Sequence, residues 1–225
     1  VAGAVVNHEL GTIAELGQLA GPLVHIDAVQ AAGKLDLRKL RADSLALSAH
    51  KLGGPPGVGA LVVALDEGLP LVAAGHQEMG RRPGTENVLG IIGFGAAAAA
   101  VDLAAWPAVA ALGDRLERGI LALPGTRIHA ADRPRIGGTI NAGFAGARGQ
   151  DLVIALDLAG IAAATGAACT SGSVQPSPVL LAIGLSAEQA LEAVRFSLGR
   201  QTTDAEIDQV LSVLGGLVER ARLHR

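Results

Sequence analysis

Asp43-Ser-Leu-Ala-Leu-Ser48-Ala-His50-Lys51, running on into Leu52-Gly-Gly-Pro-Pro-Gly-Val-Gly59, is the stretch on which the fold turns. Its first residues form an apolar run of strand length, and the glycines and prolines after Lys51 forbid a helix. Ser48 to Lys51 therefore closes a strand and opens a loop. A lysine in that position, beside a hydroxyl and an imidazole, is placed to hold a carbonyl cofactor as a Schiff base. Its ammonium must first lose a proton, a step that partial burial and nearby cations help. A lysine ahead of a glycine loop is ordinarily a solvated surface residue, so its surroundings decide the reading.

Twenty-four positions upstream, Asp27 closes a second apolar strand, Pro22-Leu-Val-His-Ile-Asp27. Taken alone, that aspartate reads equally well as a strand-end cap. A lysine and an aspartate at the ends of two strands are the partners that pyridoxal 5'-phosphate (PLP) requires, one for its aldehyde and one for its pyridinium nitrogen.

Composition narrows the alternatives. The 225 residues suffice for one sizeable core or two modest ones. Aromatic residues are 2% of the chain and tyrosine is absent, which leaves little to stack on single-stranded bases. A net charge of −3 argues against a polyanionic partner, so no direct nucleic-acid contact is expected. One cysteine gives no intramolecular disulfide framework, and the sequence opens without a charged-then-apolar stretch, so no signal peptide is expected. A cytoplasmic location is the expectation. Scattered histidines and a lone cysteine give no metal-ligand spacing.

Along the chain, Val1 to Val6 reads as a short buried strand, and Gly11 to Leu19 as a turn into a short helix. Leu23 to Asp27, Ser44 to Ser48 and Gly59 to Ala64 read as further strands, alternating with helices as in a parallel or mixed sheet. Val88 to Val101 is apolar throughout, but it is short for a membrane span, and Asp102 and Pro107 break the run. A long buried helix and no membrane segment is the reading, with a domain boundary inside that helix near residues 100 to 105. Short strands at Thr126 to Ala130 and Gly138 to Phe144 follow, then a helix from about Gln150 to Leu158. Ser186-Ala-Glu-Gln189 and Thr203-Asp-Ala-Glu206 are capping boxes that start two later helices. The last helix carries Ile207, Val210, Leu211, Leu214 and Leu217 at helical spacing.

Two further residues stand out chemically. Cys169 lies in Gly166-Ala-Ala-Cys169-Thr-Ser-Gly-Ser173, among small polar neighbours where exposure and thiolate formation come easily. An unpaired cysteine is more often a small buried hydrophobe, but that setting favours larger apolar neighbours. Arg195, in Val194-Arg195-Phe-Ser-Leu-Gly-Arg200, can grip a carboxylate through two parallel hydrogen bonds, which lysine cannot. A structural salt bridge is its other reading.

Five ordered blocks carry a resemblance. His25-Ile-Asp27-Ala-Val-Gln30, Ser48-Ala-His50-Lys51 and Arg82-Pro-Gly-Thr85-Glu-Asn resemble the cofactor half of a class V aminotransferase of fold-type I. The Cys169 and Arg195 blocks resemble its NifS/IscS-type cysteine desulfurase branch, in the form with the longer catalytic loop. The resemblance spans nearly all 225 residues. It implies an α/β fold: part of a large PLP-binding domain with a mainly parallel sheet over 1–102, then a small α+β C-terminal domain over 103–225 bearing the Cys169 loop. Lys51 would bind the PLP aldehyde, Asp27 the ring nitrogen, Gln30 the phenolic oxygen, and Ser48 and His50 the phosphate. Thr85 would reach the phosphate of a neighbouring subunit, which implies a homodimer with shared cofactor sites. Arg195 would hold the carboxylate of L-cysteine, and Cys169 would take its sulfur as a persulfide for an iron–sulfur scaffold or another sulfur-acceptor protein, leaving alanine.

The sequence also departs from the family. Where the family has asparagine against the cofactor, this chain has His8, in Asn7-His8-Glu9-Leu10-Gly11; an imidazole can donate the same hydrogen bond but is bulkier and can charge. The family's ring-stacking histidine and small-residue phosphate turn precede the residues present here, so a truncated chain is the expectation, and the segment after Gly11 is shorter than usual. A selenocysteine lyase or another class V lyase or transaminase remains an alternative. So does an inactive fragment serving as a dimerisation or scaffold-binding module.

Overall fold

In a computed structural model of the chain, residues 1–16, 21–64, 74–166 and 175–223 are described. They form two compact units, one comprising Val1–Val6 and Ala14–Leu103, the other Asn7–Ile13 and Ala104–Arg225.

The first unit is built on a four-stranded sheet of β1 (Ala2–Ala4), β2 (His25–Asp27), β3 (Ser44–Ser48) and β4 (Gly59–Val63), in that spatial order. The first three strands are parallel and β4 returns antiparallel to β3. Asp27 pairs with Ala46, so the carboxyl ends of β2 and β3 lie at one edge of the sheet. After β3 the chain makes a 3-10 turn over Ala49–Lys51, fixed by the amides of Leu52 and Gly54 donating to the Ala49 carbonyl, both at 2.9 Å. Ala49, the first residue of that turn, is fully buried.

Helix α1 (Val88–Ala99) starts where the Asn87 side chain accepts the Gly90 amide. It rests on the loop after Lys51 through small residues: a Cβ on Gly93 would stand 2.9 Å from Pro55, and one on Gly54 3.2 Å from Ala97. This corrects the expectation of a buried helix. Contact through glycine and alanine leaves the bulky positions outward, with Leu89 84% and Ile92 64% exposed. The helix ends at Ala99, and the two units divide at Leu103/Ala104, within a short 3-10 helix of Leu103–Ala105 that leads into the next helix. No single helix among the described residues is long and apolar enough to cross a membrane.

The second unit packs α2 (Trp106–Leu121), α3 (Gly149–Leu158) and α6 (Asp204–Leu223) on an antiparallel sheet ordered β5 (Thr126–Ile128), β6 (Thr139–Phe144), β7 (Ala193–Ser197). Two short helices, α4 (Pro178–Ala182) and α5 (Ala187–Leu191), lie between α3 and β7. Every residue of β6 is buried, as befits the central strand. Ile207, Val210, Leu214 and Leu217 of α6 enter the same core, each contributing about 1.5–3 kcal/mol by burial. Both capping boxes form: Ser186 with Gln189, and Thr203 with Glu206.

Residues Gly11 to Ile13 are not helical. Thr12 bridges Arg135, the Ile13 amide donates to the Pro134 carbonyl, and Gly11 takes a φ of +69° that favours glycine. Residues 17–19 of that expected helix lie outside the described residues. Val1 to Val6 likewise is buried only at Val5 and Val6, while Ala2 and Ala4 are exposed.

Candidate active site

Most of the expected cofactor residues gather at the carboxyl edge of the first sheet. Asp27 is the last residue of β2 and exposed; its Oδ1 accepts the Val29 amide at 2.9 Å, which fixes the carboxylate while its Oδ2 has no partner among the described residues. Gln30 follows in the next turn, its Oε1 accepting from Lys34 Nζ at 3.4 Å, so its amide N–H groups remain for another acceptor. Ser48 Oγ and His50 Nδ1 are 2.7 Å apart, a hydroxyl and an imidazole holding one another at the start of the turn. Lys51 ends the turn and is exposed, with no hydrogen bond or ion pair to the described residues. The partial burial expected for it is therefore not supplied by the described residues. Thr85 is exposed two residues before the Asn87 cap, and its carbonyl accepts from Arg82 at 3.3 Å. None of the hydrogen bonds among the described residues ties it to the other five.

His8 and Arg195 belong to the second unit. Arg195, on β7, pairs with Asn141 across the sheet and forms a bridge with Ala164 on its other side. Its Nη1 donates to the His8 carbonyl at 3.0 Å, while Nε is buried and unpartnered among the described residues. A half-buried guanidinium with donors to spare is suited to an anion. The His8 ring is exposed, with Nε2 3.6 Å from Glu9 Oε1. Cys169 lies outside the described residues.

Around Arg195 the structure reveals polar residues that the sequence reading passed over. Asn141 is fully buried, with Oδ1 2.6 Å from His129 Nδ1 and Nδ2 3.5 Å from the Glu9 carbonyl. Glu9 is buried too, and Ser177 Oγ donates to its Oε2 at 2.6 Å. Their signal in the sequence is faint: a glutamate between His8 and Leu10, and an asparagine inside an apolar strand. Burial pushes the His129 imidazole below its ordinary value, the Arg127 charge adds to this, and the Asn141 bond pulls the other way. Among the described residues no cluster of three metal-ligating side chains occurs.

A lysine, an aspartate and two anion donors along the carboxyl edge of a mostly parallel sheet define the class: a fold-type I, PLP-type architecture. Residues 1–210 match the aminotransferase class-V family, and the chain belongs to that family. Cysteine desulfurase 2 of Trichormus variabilis is 44% identical over 228 residues, covering 96% of this chain and 57% of that protein. The cysteine desulfurase of Gluconacetobacter diazotrophicus is 45% identical over 232 residues, again covering 96% and 57%. Among solved structures, a NifS-like protein from Rickettsia africae matches with a TM-score of 0.85 at 27% identity, over 97% of this chain and 61% of that one. A further NifS-like protein matches with a TM-score of 0.84 at 31% identity, over 97% and 60%. The chain thus spans little more than half the length of the curated relatives it matches.

The residues present fit the cofactor that this family implies. Asp27 keeps one carboxylate oxygen open at a strand end, Lys51 has an amine unengaged by the described residues, and the Ser48–His50 pair offers donors for a phosphate.

Proposed function

We propose that the chain carries the working residues of a PLP-dependent cysteine desulfurase, which removes sulfur from L-cysteine and leaves L-alanine. The single observation that carries this reading is Lys51, without a partner among the described residues, in the turn just beyond the end of β3, whose parallel neighbour β2 ends at Asp27. Bound there, PLP would supply an electron sink for the carbanion formed at the substrate α-carbon. Lys51 would hold its aldehyde, Asp27 its protonated ring nitrogen, Gln30 its phenolic oxygen, and Ser48 and His50 its phosphate. His8 takes the place of the family's asparagine against the ring.

Arg195 orients the substrate by its carboxylate. Lys51 would move the substrate α-proton, as base and then as acid. The Cys169 thiolate attacks the substrate sulfur: an S–S bond forms as the C–S bond breaks, and the electron pair stays on the substrate carbon, which is then protonated. The Cys169 persulfide passes its outer sulfur to an iron–sulfur scaffold or another acceptor protein. A homodimer with Thr85 completing the partner's phosphate site, and a cytoplasmic location consistent with the single cysteine, belong to the same proposal.

Titrating the purified chain with PLP and recording its visible absorption tests this. A band that requires Lys51, is missing in Lys51→Ala, and shifts on adding L-cysteine is the expected outcome. The absence of any Lys51-dependent band overturns the proposal for this chain.

A further inference from the structure

Glu9 is a buried carboxylate, 3% exposed, in a turn that could as readily have presented it to water. Its main chain is fixed at both groups: Asn7 Oδ1 accepts its amide at 2.9 Å, and Asn141 donates to its carbonyl. Burying a carboxylate is costly unless it is hydrogen-bonded, so what it binds is informative. Ser177 Oγ donates to Oε2 at 2.6 Å, and the same Ser177 oxygen caps α4 by accepting the Leu180 amide at 3.3 Å. Gly166 packs against the same carboxylate oxygen: a Cβ there would stand 2.1 Å from Oε2 and 3.4 Å from the Ser177 Cβ. Two residues upstream, Ala164 is locked to Arg195 by a pair of backbone bonds of 3.0 and 2.6 Å.

Gly166 and Ser177 are the two ends of the stretch that contains Cys169. A free chain of ten residues has a root-mean-square span of about 16–19 Å, yet here both ends meet at one carboxylate. We propose that Glu9 is a positioning residue for Cys169, holding one root of its segment through the Ser177 hydrogen bond and packing against the other at Gly166. This rests on the desulfurase reading for what Cys169 does, but not for the pinning itself. Fixed roots leave any connecting segment fewer conformations and so raise the effective concentration of a group it carries.

The test compares the full chain with Glu9→Ala, Ser177→Ala and the conservative Glu9→Gln, whose amide oxygen can still accept from Ser177. Hydrogen exchange is followed in peptides covering 162–166 and 175–182, with β6 as internal control. Glu9→Ala and Ser177→Ala are expected to speed exchange in both flanks about tenfold or more while β6 stays protected, and Glu9→Gln to stay near the parent. With PLP and L-cysteine, persulfide formation in the two alanine variants should lose about tenfold in kcat with KM little changed.

Unchanged flanks in Glu9→Ala overturn the pinning. Loosened flanks with unchanged kcat overturn the positioning role, as does a loss shared by kcat, KM and β6 protection, which marks general destabilisation. A parent chain that forms no persulfide overturns the desulfurase reading, while the exchange result still decides the pinning.

Discussion

Removing either member of the buried His129–Asn141 pair should cost more than removing both would suggest. Asn141 Oδ1 can only accept, so His129 Nδ1 carries the hydrogen of their 2.6 Å bond, and Nε2 is a buried, unpartnered acceptor among the described residues. Asn141→Ala strands the Nδ1 hydrogen, at a cost of about 1–3 kcal/mol, and His129→Ala strands the Asn141 oxygen at a similar cost. The double variant strands neither, so it should be more stable than the sum of the single losses predicts by about 1–2 kcal/mol. Urea unfolding read by the fluorescence of Trp106, the sole tryptophan and a member of the same unit, measures this. With a slope of about 2 kcal/mol/M, a loss of 2 kcal/mol moves the midpoint by about 1 M. The pH dependence carries its own sign. Because the folded value of His129 lies below 6.5, its neutral form is favoured in the fold. The parent should therefore lose stability relative to His129→Ala as pH falls below 6.5 towards that depressed value, and the two should run parallel above it. Strictly additive single variants, or parallel pH curves throughout, would refute the reasoning.

Two glycines should respond to alanine with opposite signs. Gly113→Ala places a Cβ 2.1 Å from the Gly137 carbonyl oxygen and should destabilise by about 1–3 kcal/mol, whereas Gly216→Ala, in α6 with nothing within 4 Å, should stabilise by about 0.5–1 kcal/mol; thermal unfolding decides both. Arg195→Lys keeps the charge but loses the planar fork, so KM for L-cysteine should rise about tenfold in steady-state alanine assays; an unchanged KM refutes the carboxylate contact. Cys169→Ser should abolish persulfide, seen by intact mass, while sparing PLP uptake; full turnover by that variant would sink its assigned role.

Much of the fold follows from local chemistry. The apolar run ending at Ser48 and the glycine–proline loop behind Lys51 specify a strand and a turn whatever surrounds them, and β3 spans Ser44–Ser48 as read. Both capping boxes are three-residue hydrogen-bond patterns, legible because their partners are neighbours in sequence. Asp27 and Lys51 were identifiable for the same reason, as polar residues at the ends of apolar strands. What the sequence could not decide was which apolar or polar groups are covered. Fourteen apolar residues from Val88 read as a buried helix, yet Gly93 and Ala97 make the contact and Leu89 and Ile92 face outward. Glu9 drew no reading from the sequence, because the residues that meet its carboxylate, Gly166 and Ser177, lie 157 and 168 positions away in the chain. Periodicity and capping report on neighbours along the chain. Burial depends on which distant segments pack against a side chain, and only the tertiary structure brings those together.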